Sequence, residues 1–290
     1  MNSRSMDPPA PALHGRTGKG GLADWLRWRR MYPELRGLAP DDPQITLRQR
    51  DVLQKNKAAR FSFGQFYREL AGVAQASPPG LRVEIGSGAG FLEEFIPGLV
   101  KTDVVPLPFT HQVCRAEAMP FDDGRVGALF MVNVLHHVRR PGDFFREAVR
   151  VLAPGGRVAM IEPFNSSFSR FVYRRLHHEP FDPDVPSWDL PEGGRLSAGN
   201  NALPWIIFVR DRARFEQEHP SLEIERVRPH SGLVHLLSGG VTTRPFVPAF
   251  ILPGLAALER RAGRLMRHLA LFMTVVLKKN GGAAIHGGPG

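Results

Sequence analysis

The sequence is poor in cysteine and lysine and contains no long uncharged apolar run. Cys114 is the single cysteine among 290 residues, so no disulfide can form within the chain. A membrane-spanning helix needs roughly 18 apolar residues. The closest candidate, residues 245–258, is shorter and is interrupted by prolines. The first residues also lack an apolar stretch of signal-peptide length. We therefore expect a cytoplasmic protein with no membrane span.

Basic residues exceed acidic ones, but they do not form a cluster. Lysine and arginine number 38 and aspartate and glutamate 28, which gives a formal charge of +10. Only six of the basic residues are lysines, and the arginines occur in every segment, often beside acids as in VRDRARFEQE. Nucleic-acid binding requires a concentrated basic surface. The distribution therefore argues against nucleic acid as a partner.

Composition divides the chain into tails, a helical segment and one larger domain. Residues 1–21 and 281–290 are rich in glycine, proline and small residues, which predicts two disordered tails. Residues 22–76 carry apolar side chains at helical spacing and are predicted to form a helical N-terminal cap. Residues 77–280 have the length and apolar content of a single domain.

The larger domain alternates strand and helix patterns. The apolar runs LRVEI, VKTDVV, VGALFMVN and RVAMIE suit buried parallel strands, and PGDFFREAVRV has the periodicity of a helix between the last two. Right-handed crossovers then give a doubly wound sheet that binds its ligand beyond the carboxyl ends of the strands. We expect LEIERV and LALFMTVVL to close the sheet as a hairpin. Residues 163–220, rich in Pro, Gly, Asn, Trp and His, are predicted to form a lid insertion.

A glycine-rich bend follows the first of these strands. Residues 83–91 read VEIGSGAGF, and FLEEFI comes next, so we expect backbone N–H groups and a helix amino end to surround a small ligand. The next strand ends at Asp103, 17 residues after Gly86. A carboxylate at this position can accept hydrogen bonds from both hydroxyls of a ribose.

The bend, the acid and two later stretches together carry a family resemblance. With AEAMPFDDGRVGALFMVNVLHHV and FREAVRVLAPGGRVAMIEP, residues 81–162 resemble the class I S-adenosylmethionine-dependent methyltransferases, especially the type 11 small-molecule group. The resemblance implies a Rossmann-like fold with a mostly parallel seven-stranded sheet and S-adenosylmethionine as cofactor. It implies cofactor contacts at Glu84, Gly86, Ser87, Gly88, Gly90, Asp103, Ala116, Glu117 and Asn133.

One position departs from the family pattern. Where the family often has an Asp-Ala pair at the adenine, this chain has Arg115 followed by Ala116. An arginine cannot accept a hydrogen bond from the adenine amino group. The backbone N–H of Ala116 and the carboxylate of Glu117 remain as candidates for adenine contacts.

Histidines are the candidate groups for chemistry and for substrate contact. If the acceptor is a hydroxyl, a histidine can take its proton, and His136 and His137 lie at the predicted cofactor cleft. Alternatively, one of these rings only packs beside the cofactor or caps a turn. In the predicted lid we expect substrate contacts from His177, His178, Glu179, Asn201 and Trp205. We expect no metal, because these loop residues lack an i, i+4 histidine pair.

Other functions fit the sequence less well. A dinucleotide site needs its third glycine one residue later, and Glu84 would repel a pyrophosphate. Amino-directed base methyltransferases carry an Asn/Asp-Pro-Pro-aromatic element where this chain has Asn133-Val134-Leu135-His136. We predict O- or N-methylation of a natural product, sugar or lipid head group, with a homodimer possible. An RNA methyltransferase and a non-catalytic interaction protein of the same fold remain as alternatives.

Overall fold

A seven-stranded sheet lies at the centre of the computed structural model, which describes residues 29–177, 179–194 and 198–281. The strands lie in the order β3-β2-β1-β4-β5-β7-β6, and β7 alone runs antiparallel to its neighbours. The strands are β1 (Leu81–Glu84), β2 (Val100–Asp103), β3 (Gln112–Val113), β4 (Val126–Val132), β5 (Leu152–Pro163), β6 (Leu222–His230) and β7 (Phe272–Lys279). The predicted doubly wound, mostly parallel sheet is confirmed.

Helices cover both faces of this sheet. The α-helical segments are α1 (Pro43–Lys55), α2 (Lys57–Ala76), α3 (Pro141–Val151), α4 (Ser167–Leu176), α5 (Leu203–Trp205), α6 (Arg212–Glu218), α7 (Leu233–Ser238), α8 (Leu252–Arg261) and α9 (Met266–Leu269). Short 3-10 turns lie at Pro33–Leu35, Leu92–Glu94, Leu135–His137, Ala249–Ile251 and Gly263–Leu265, and a π-helical turn at Ile206–Arg210. No helix in the described ranges is both long and apolar enough to cross a bilayer.

The order of the strands fixes where a ligand can bind. β1 lies between β2 and β4, so the chain crosses from one side of β1 to the other after β3. In open sheets of this kind, ligands bind at such a switch point, beyond the carboxyl ends of the strands. Glu84, Asp103 and Val132 end β1, β2 and β4 at this edge. The glycine bend and both histidines of the predicted site follow directly from these strand ends.

The helix that we expected after the glycine bend is not formed. Instead, Leu92–Glu94 makes a single 3-10 turn, and Pro97 and Gly98 follow within a few residues. Gly98 has a positive φ of 73°, which turns the chain into β2. Pro97 and Gly98 therefore end the helical stretch after one 3-10 turn, and no α-helix amino end lies at the bend.

The helices before the sheet cover the face that this missing helix leaves open. The side chains of Asp42 and Asn56 accept hydrogen bonds from backbone N–H groups and cap the starts of α1 and α2. The apolar face of α2 is buried together with the residues after the bend in one cluster, which includes Phe63, Phe66, Tyr67, Leu70, Phe91, Leu92 and Ile96. The N-terminal helices thus belong to the same core as the sheet.

Two other sequence expectations need refinement. β6 and β7 do pair antiparallel, but 41 residues containing α7, α8 and α9 separate them, so they do not form a simple hairpin. The predicted lid contains α4, α5 and α6, and Trp188 Nε1 donates to Asp211 Oδ2 at 2.9 Å across it. The expectations for residues 1–21, for 282–290 and for His178 lie outside the described residues.

Candidate active site

The three glycines of the bend are favoured by backbone conformation at Gly86 and Gly88 and by lack of space at Gly86 and Gly90. Gly86 and Gly88 have positive φ angles of 64° and 47°. A Cβ atom on Gly86 would lie 2.7 Å from Val134 Cγ2, and one on Gly90 would lie 2.8 Å from the Tyr67 hydroxyl. Gly88, in contrast, faces open space, since a Cβ there would meet only Gly86 O at 3.8 Å. The bend therefore exposes backbone at its centre and packs tightly at both ends.

Charged side chains hold the end of the bend. Arg50, from α1, donates to the carbonyl oxygen of Gly90 and, at 2.9 Å, to Glu93 Oε1. The buried Lys101 Nζ donates to the same carboxylate oxygen at 2.9 Å and lies 3.3 Å from Gly90 O. The position of the bend thus depends on both the N-terminal helices and β2.

Glu84 is a buried acid with an unused oxygen. Its side chain lies beside the bend, 3.6 Å from where a Cβ of Gly90 would stand, and is 2% exposed. Burial raises the pKa of Glu84 to about 8, against the opposing charge of Lys101. Glu84 Oε2 and the Ser87 hydroxyl are both buried without a hydrogen-bond partner among the described residues. Unpaired buried polar atoms beside the accessible backbone of Gly88 fit a small polar ligand whose positive group would pair with the Glu84 carboxyl group.

Asp103 contacts the bend as well as the cleft. Its Oδ2 accepts a hydrogen bond from the N–H of Gly88 at 2.9 Å, and its Oδ1 accepts one from Val105 at 3.3 Å. A carboxylate has about four acceptor positions, so two remain. Asp103 can therefore hold the bend and still accept hydrogen bonds from the two hydroxyls of a ribose.

The residues predicted at the adenine lie after β3. Ala116 is buried, whereas the Arg115 side chain is 66% exposed. The Glu117 side chain is only 13% exposed and lies 3.8 Å from the Arg115 guanidinium. Arg115 is thus turned toward solvent, and Glu117 is the member of the pair that faces inward. This arrangement fits the suggestion that Glu117 takes the place of the aspartate of the family pattern.

Asn133 occupies a strained position directly after β4. Its φ is 57°, a left-handed conformation that costs most non-glycine residues about 1–2 kcal/mol and that asparagine adopts more readily than the others. Its N–H donates to the carbonyl oxygen of Ile161 at 2.9 Å. Such strain persists where the surrounding structure enforces it, and here it turns the chain from β4 into the histidine turn.

Glu162, near the end of β5, fixes the turn that carries both histidines. The residue is fully buried, and its Oε1 accepts hydrogen bonds from the N–H groups of Val134 at 2.8 Å and Leu135 at 2.7 Å. Its Oε2 lies 2.8 Å from His136 Nδ1. The sequence analysis missed this residue. The available signal was an acid at the carboxyl end of an otherwise apolar strand, next to the switch point of the sheet.

The two neighbouring histidines lie in very different electrostatic surroundings. Burial alone would lower the pKa of His136, but the hydrogen bond to Glu162 and the charges of Glu162 and Glu179 raise it to about 9. Burial and the nearby charge of His136 lower the pKa of His137 to about 3. The centroids of the two imidazole rings are 4.2 Å apart. At neutral pH His136 therefore carries a proton, and His137 is the neutral member of the pair.

The segment after α4, within the predicted lid, brings Glu179 to this pair. Glu179 Oε2 lies 3.6 Å from His136 Nε2, and Glu179 Oε1 lies 3.7 Å from His137 Nε2. Burial would raise the pKa of Glu179, but the positive charge of His136 holds it well below its usual range. Asn201 Nδ2 donates to Glu179 Oε2 at 3.0 Å, and His177 Nδ1 lies 3.9 Å from the same oxygen.

The predicted substrate residues thus separate into two groups. His177, Glu179 and Asn201 gather around the histidine pair, while Trp205 is partly buried against the main hydrophobic core. A groove of about 1130 Å³ between α2, β6 and α8 shares no residue with this site. The site is defined by its buried polar groups and by the glycine bend, and that groove contributes nothing to it.

Comparison with known proteins identifies the family of the central region. Residues 83–160 match the family model of a methyltransferase domain. None of the curated proteins matches the sequence.

Several solved structures are similar to the chain, although distantly. The complex between the Haloferax volcanii Trm112 methyltransferase activator and a methyltransferase contains a chain at 12% identity and a TM-score of 0.47, with 84% of this chain and 100% of that one covered. Geranyl diphosphate methyltransferase in complex with S-adenosylmethionine is 15% identical with a TM-score of 0.42, and the match covers 83% of this chain and 92% of that one. An S-adenosylmethionine-dependent methyltransferase from Mesorhizobium loti is 16% identical with a TM-score of 0.39, and the match covers 72% of this chain and 96% of that one. These values are too low to carry an argument on function.

The buried carboxyl group of Glu84 predicts a pH dependence of stability. An acid whose pKa rises on folding, here from 4.5 to about 8, stabilises the folded state fully below pH 4.5, and this contribution is lost as the pH rises through about 8. Glu84→Gln removes the contribution. We expect the free energy of unfolding of the variant, relative to wild type, to increase between pH 5 and 8 by up to about 1.4 kcal/mol per pH unit.

Urea unfolding of both proteins across this pH range measures the difference. Glu94→Gln, at an exposed position, serves as the control and should show no such trend. A difference between Glu84→Gln and wild type that does not change with pH would contradict the assignment.

Proposed function

We propose that this chain, which carries a class I S-adenosylmethionine-dependent methyltransferase domain, transfers a methyl group to an oxygen or nitrogen atom of a small-molecule acceptor. The enzyme class and the cofactor recognised in the sequence are confirmed by the family match and accord with the sheet topology. The nature of the acceptor is our inference. The observation that carries it is the cluster of the buried His136 with the mostly buried His137 and Glu179, on a turn whose Val134 packs against Gly86 of the glycine bend.

The described residues fit the cofactor. We assign the methionine part to the glycine bend, with the ammonium group near Glu84, whose Oε2 has no other partner, and with Asn133 facing it. The ribose is assigned to Asp103 and the adenine to Ala116 and Glu117. S-adenosylmethionine supplies an electrophilic methyl group on a sulfonium. At neutral pH Glu84 holds a proton, so we expect it to lose that proton when the ammonium group binds.

The histidine turn is placed to receive an acceptor. Val134, at the start of this turn, packs against Gly86 of the bend, so the histidines follow directly from the cofactor cleft. His137 is neutral and can accept a hydrogen bond at Nε2 from a hydroxyl or an amine. With a pKa of about 3 it is a weak base, so it would take the proton only as methyl transfer makes the acceptor acidic, with Glu179 beside it to stabilise the charge. His136 is held by Glu162 and acts as a positioning residue.

The surface charge supports a small acceptor over RNA. Many arginines lie in ion pairs with acids of the same chain, among them Arg150 with Glu147, Arg157 with Glu225, Arg212 with Glu216 and Arg214 with Glu218. Such pairing leaves less free positive charge for a phosphate backbone. A cytoplasmic location and a lid function for residues 163–220 belong to the same proposal. The exposed apolar side chains of Phe250 and Leu258 support a homodimer contact.

Asp103 provides the test of the cofactor site. Asp103→Asn keeps an oxygen for the N–H of Gly88 but loses the charge that strengthens hydrogen bonds to the ribose. We expect the affinity for S-adenosylhomocysteine, measured by calorimetry, to fall roughly 10- to 100-fold. The exposed Asp189→Asn is the control. Equal affinity of Asp103→Asn and wild type would remove Asp103 from the ribose site.

Transfer of a labelled methyl group tests the acceptor class. The protein is incubated with methyl-labelled S-adenosylmethionine and with the metabolite, RNA and protein fractions of a cell extract, each tested separately. We expect label in the metabolite fraction, and we expect His137→Ala to abolish the transfer while it binds S-adenosylhomocysteine as wild type does. Transfer to RNA or protein alone would contradict the proposal.

A further inference from the structure

Three side chains from two distant segments place metal-binding atoms together. His136 and His137 follow β4, and Glu179 comes from the lid 42 residues later. One nitrogen or oxygen atom from each lies within 4.8 Å of the others. We propose that His136, His137 and Glu179 form a binding site for a divalent transition-metal ion, with zinc as the ion that fits best.

The distances in the cluster suit ligands around a central ion better than direct contacts. The separations of 3.6 Å and 3.7 Å between the histidine Nε2 atoms and the oxygens of Glu179 are too long for hydrogen bonds. Ligand atoms bonded at 2.0–2.2 Å to a tetrahedral zinc lie about 3.4 Å apart. Small side-chain rotations would therefore close the cluster around such an ion.

The cluster also has the outer hydrogen bonds that metal ligands require. A metal-binding histidine usually donates its other ring N–H to a carboxylate or carbonyl, which fixes the ring orientation. His136 Nδ1 makes this contact with Glu162 at 2.8 Å, which directs Nε2 toward Glu179. On the other side, Asn201 holds Glu179 by a hydrogen bond of 3.0 Å. The partners in these contacts, Glu162 and Asn201, are not proposed ligands themselves, and they orient His136 and Glu179 toward one point.

An ion pair alone leaves part of the cluster unexplained. A protonated His136 between Glu162 and Glu179 accounts for the contacts of His136. It does not account for His137 Nε2, which lies 3.7 Å from the oxygen of Glu179, while the ring also interacts with the backbone of Ala198. A metal ion would use the lone pair of His137 Nε2 and so explain why this second ring faces the same carboxylate.

The donor set selects the kind of ion. Two imidazoles and one carboxylate suit zinc, as in catalytic zinc sites with three protein ligands and one open position. Magnesium and calcium prefer oxygen ligands throughout. The sequence analysis expected no metal because it considered the lid residues alone, without the pair after β4.

A metal here would refine the proposed function, on which this step rests, because His137 would then be a metal ligand instead of the base and the acceptor would be a hydroxyl compound. The open coordination position would bind the hydroxyl oxygen and lower its pKa. Because the lone pair of His137 is then bound to the ion, the O–H bond would release its proton to water. The oxygen would then form the new bond to the methyl carbon, and the electrons of the broken S–C bond stay on sulfur.

Zinc titration of the full chain tests the site. The protein is stripped with a chelator and titrated with zinc in competition with a coloured chelator, alongside His137→Ala, Glu179→Gln and the exposed control His268→Ala. We expect one tight zinc per chain in wild type and in the control, and a loss of affinity of about 100-fold or more in the two ligand variants. Glu162→Gln should weaken zinc about 10- to 100-fold.

Two further measurements keep the outcome unambiguous. Binding of S-adenosylhomocysteine by each variant shows that it is folded, and it does not depend on the metal. Cobalt(II) added in place of zinc should give the visible absorption of a tetrahedral site in wild type and in His268→Ala, but not in His137→Ala or Glu179→Gln. Less than one zinc per chain in wild type, or equal affinity in wild type and both ligand variants, would overturn the proposal and leave an ion pair.

Discussion

The buried carboxylate of Glu162 is the contact on which the site depends. A fully buried charge is costly unless it is paired and hydrogen-bonded. Glu162 meets this requirement with two backbone N–H groups of the turn after β4 and with the ring of His136. Each hydrogen bond to a charged group contributes about 1.5–3 kcal/mol. The three contacts together join the end of β5 to the turn after β4.

Two functional parts follow from this single junction. On one side, the turn places Val134 against Gly86, so the wall of the cofactor cleft and the glycine bend fit each other. On the other side, it orients His136 and His137 toward Glu179 and thereby toward the lid. A carboxylate near the end of one strand therefore sets the position of the glycine bend relative to the histidine pair, which we propose as the cofactor part and the acceptor part of the site. The N-terminal helices stabilise the opposite end of the bend through Arg50.

The sequence predicted the strands and the glycine bend better than it predicted contacts between distant segments of the chain. Apolar runs such as VGALFMV, glycines at fixed spacing and an acid at the end of β2 are local patterns, and they identified the strands and the bend correctly. The helix after the bend was wrongly expected because FLEEFI has helical composition, whereas Pro97 and Gly98 end it after one turn. Contacts between distant segments carry no local pattern. For this reason the approach of Glu179 to the histidines, and the role of Glu162, required the structure.

The most direct test of this account is the hydrogen exchange of the backbone amides of Val134 and Leu135 in wild type and in Glu162→Ala. If Glu162 holds the turn, the variant keeps its sheet, and exchange in β4 away from the turn stays unchanged. The two amides at the turn then exchange roughly 10- to 100-fold faster, as expected for the loss of a hydrogen bond to a charged acceptor. Equal exchange of these amides in the two proteins would show that the turn is held by other contacts and would contradict the account.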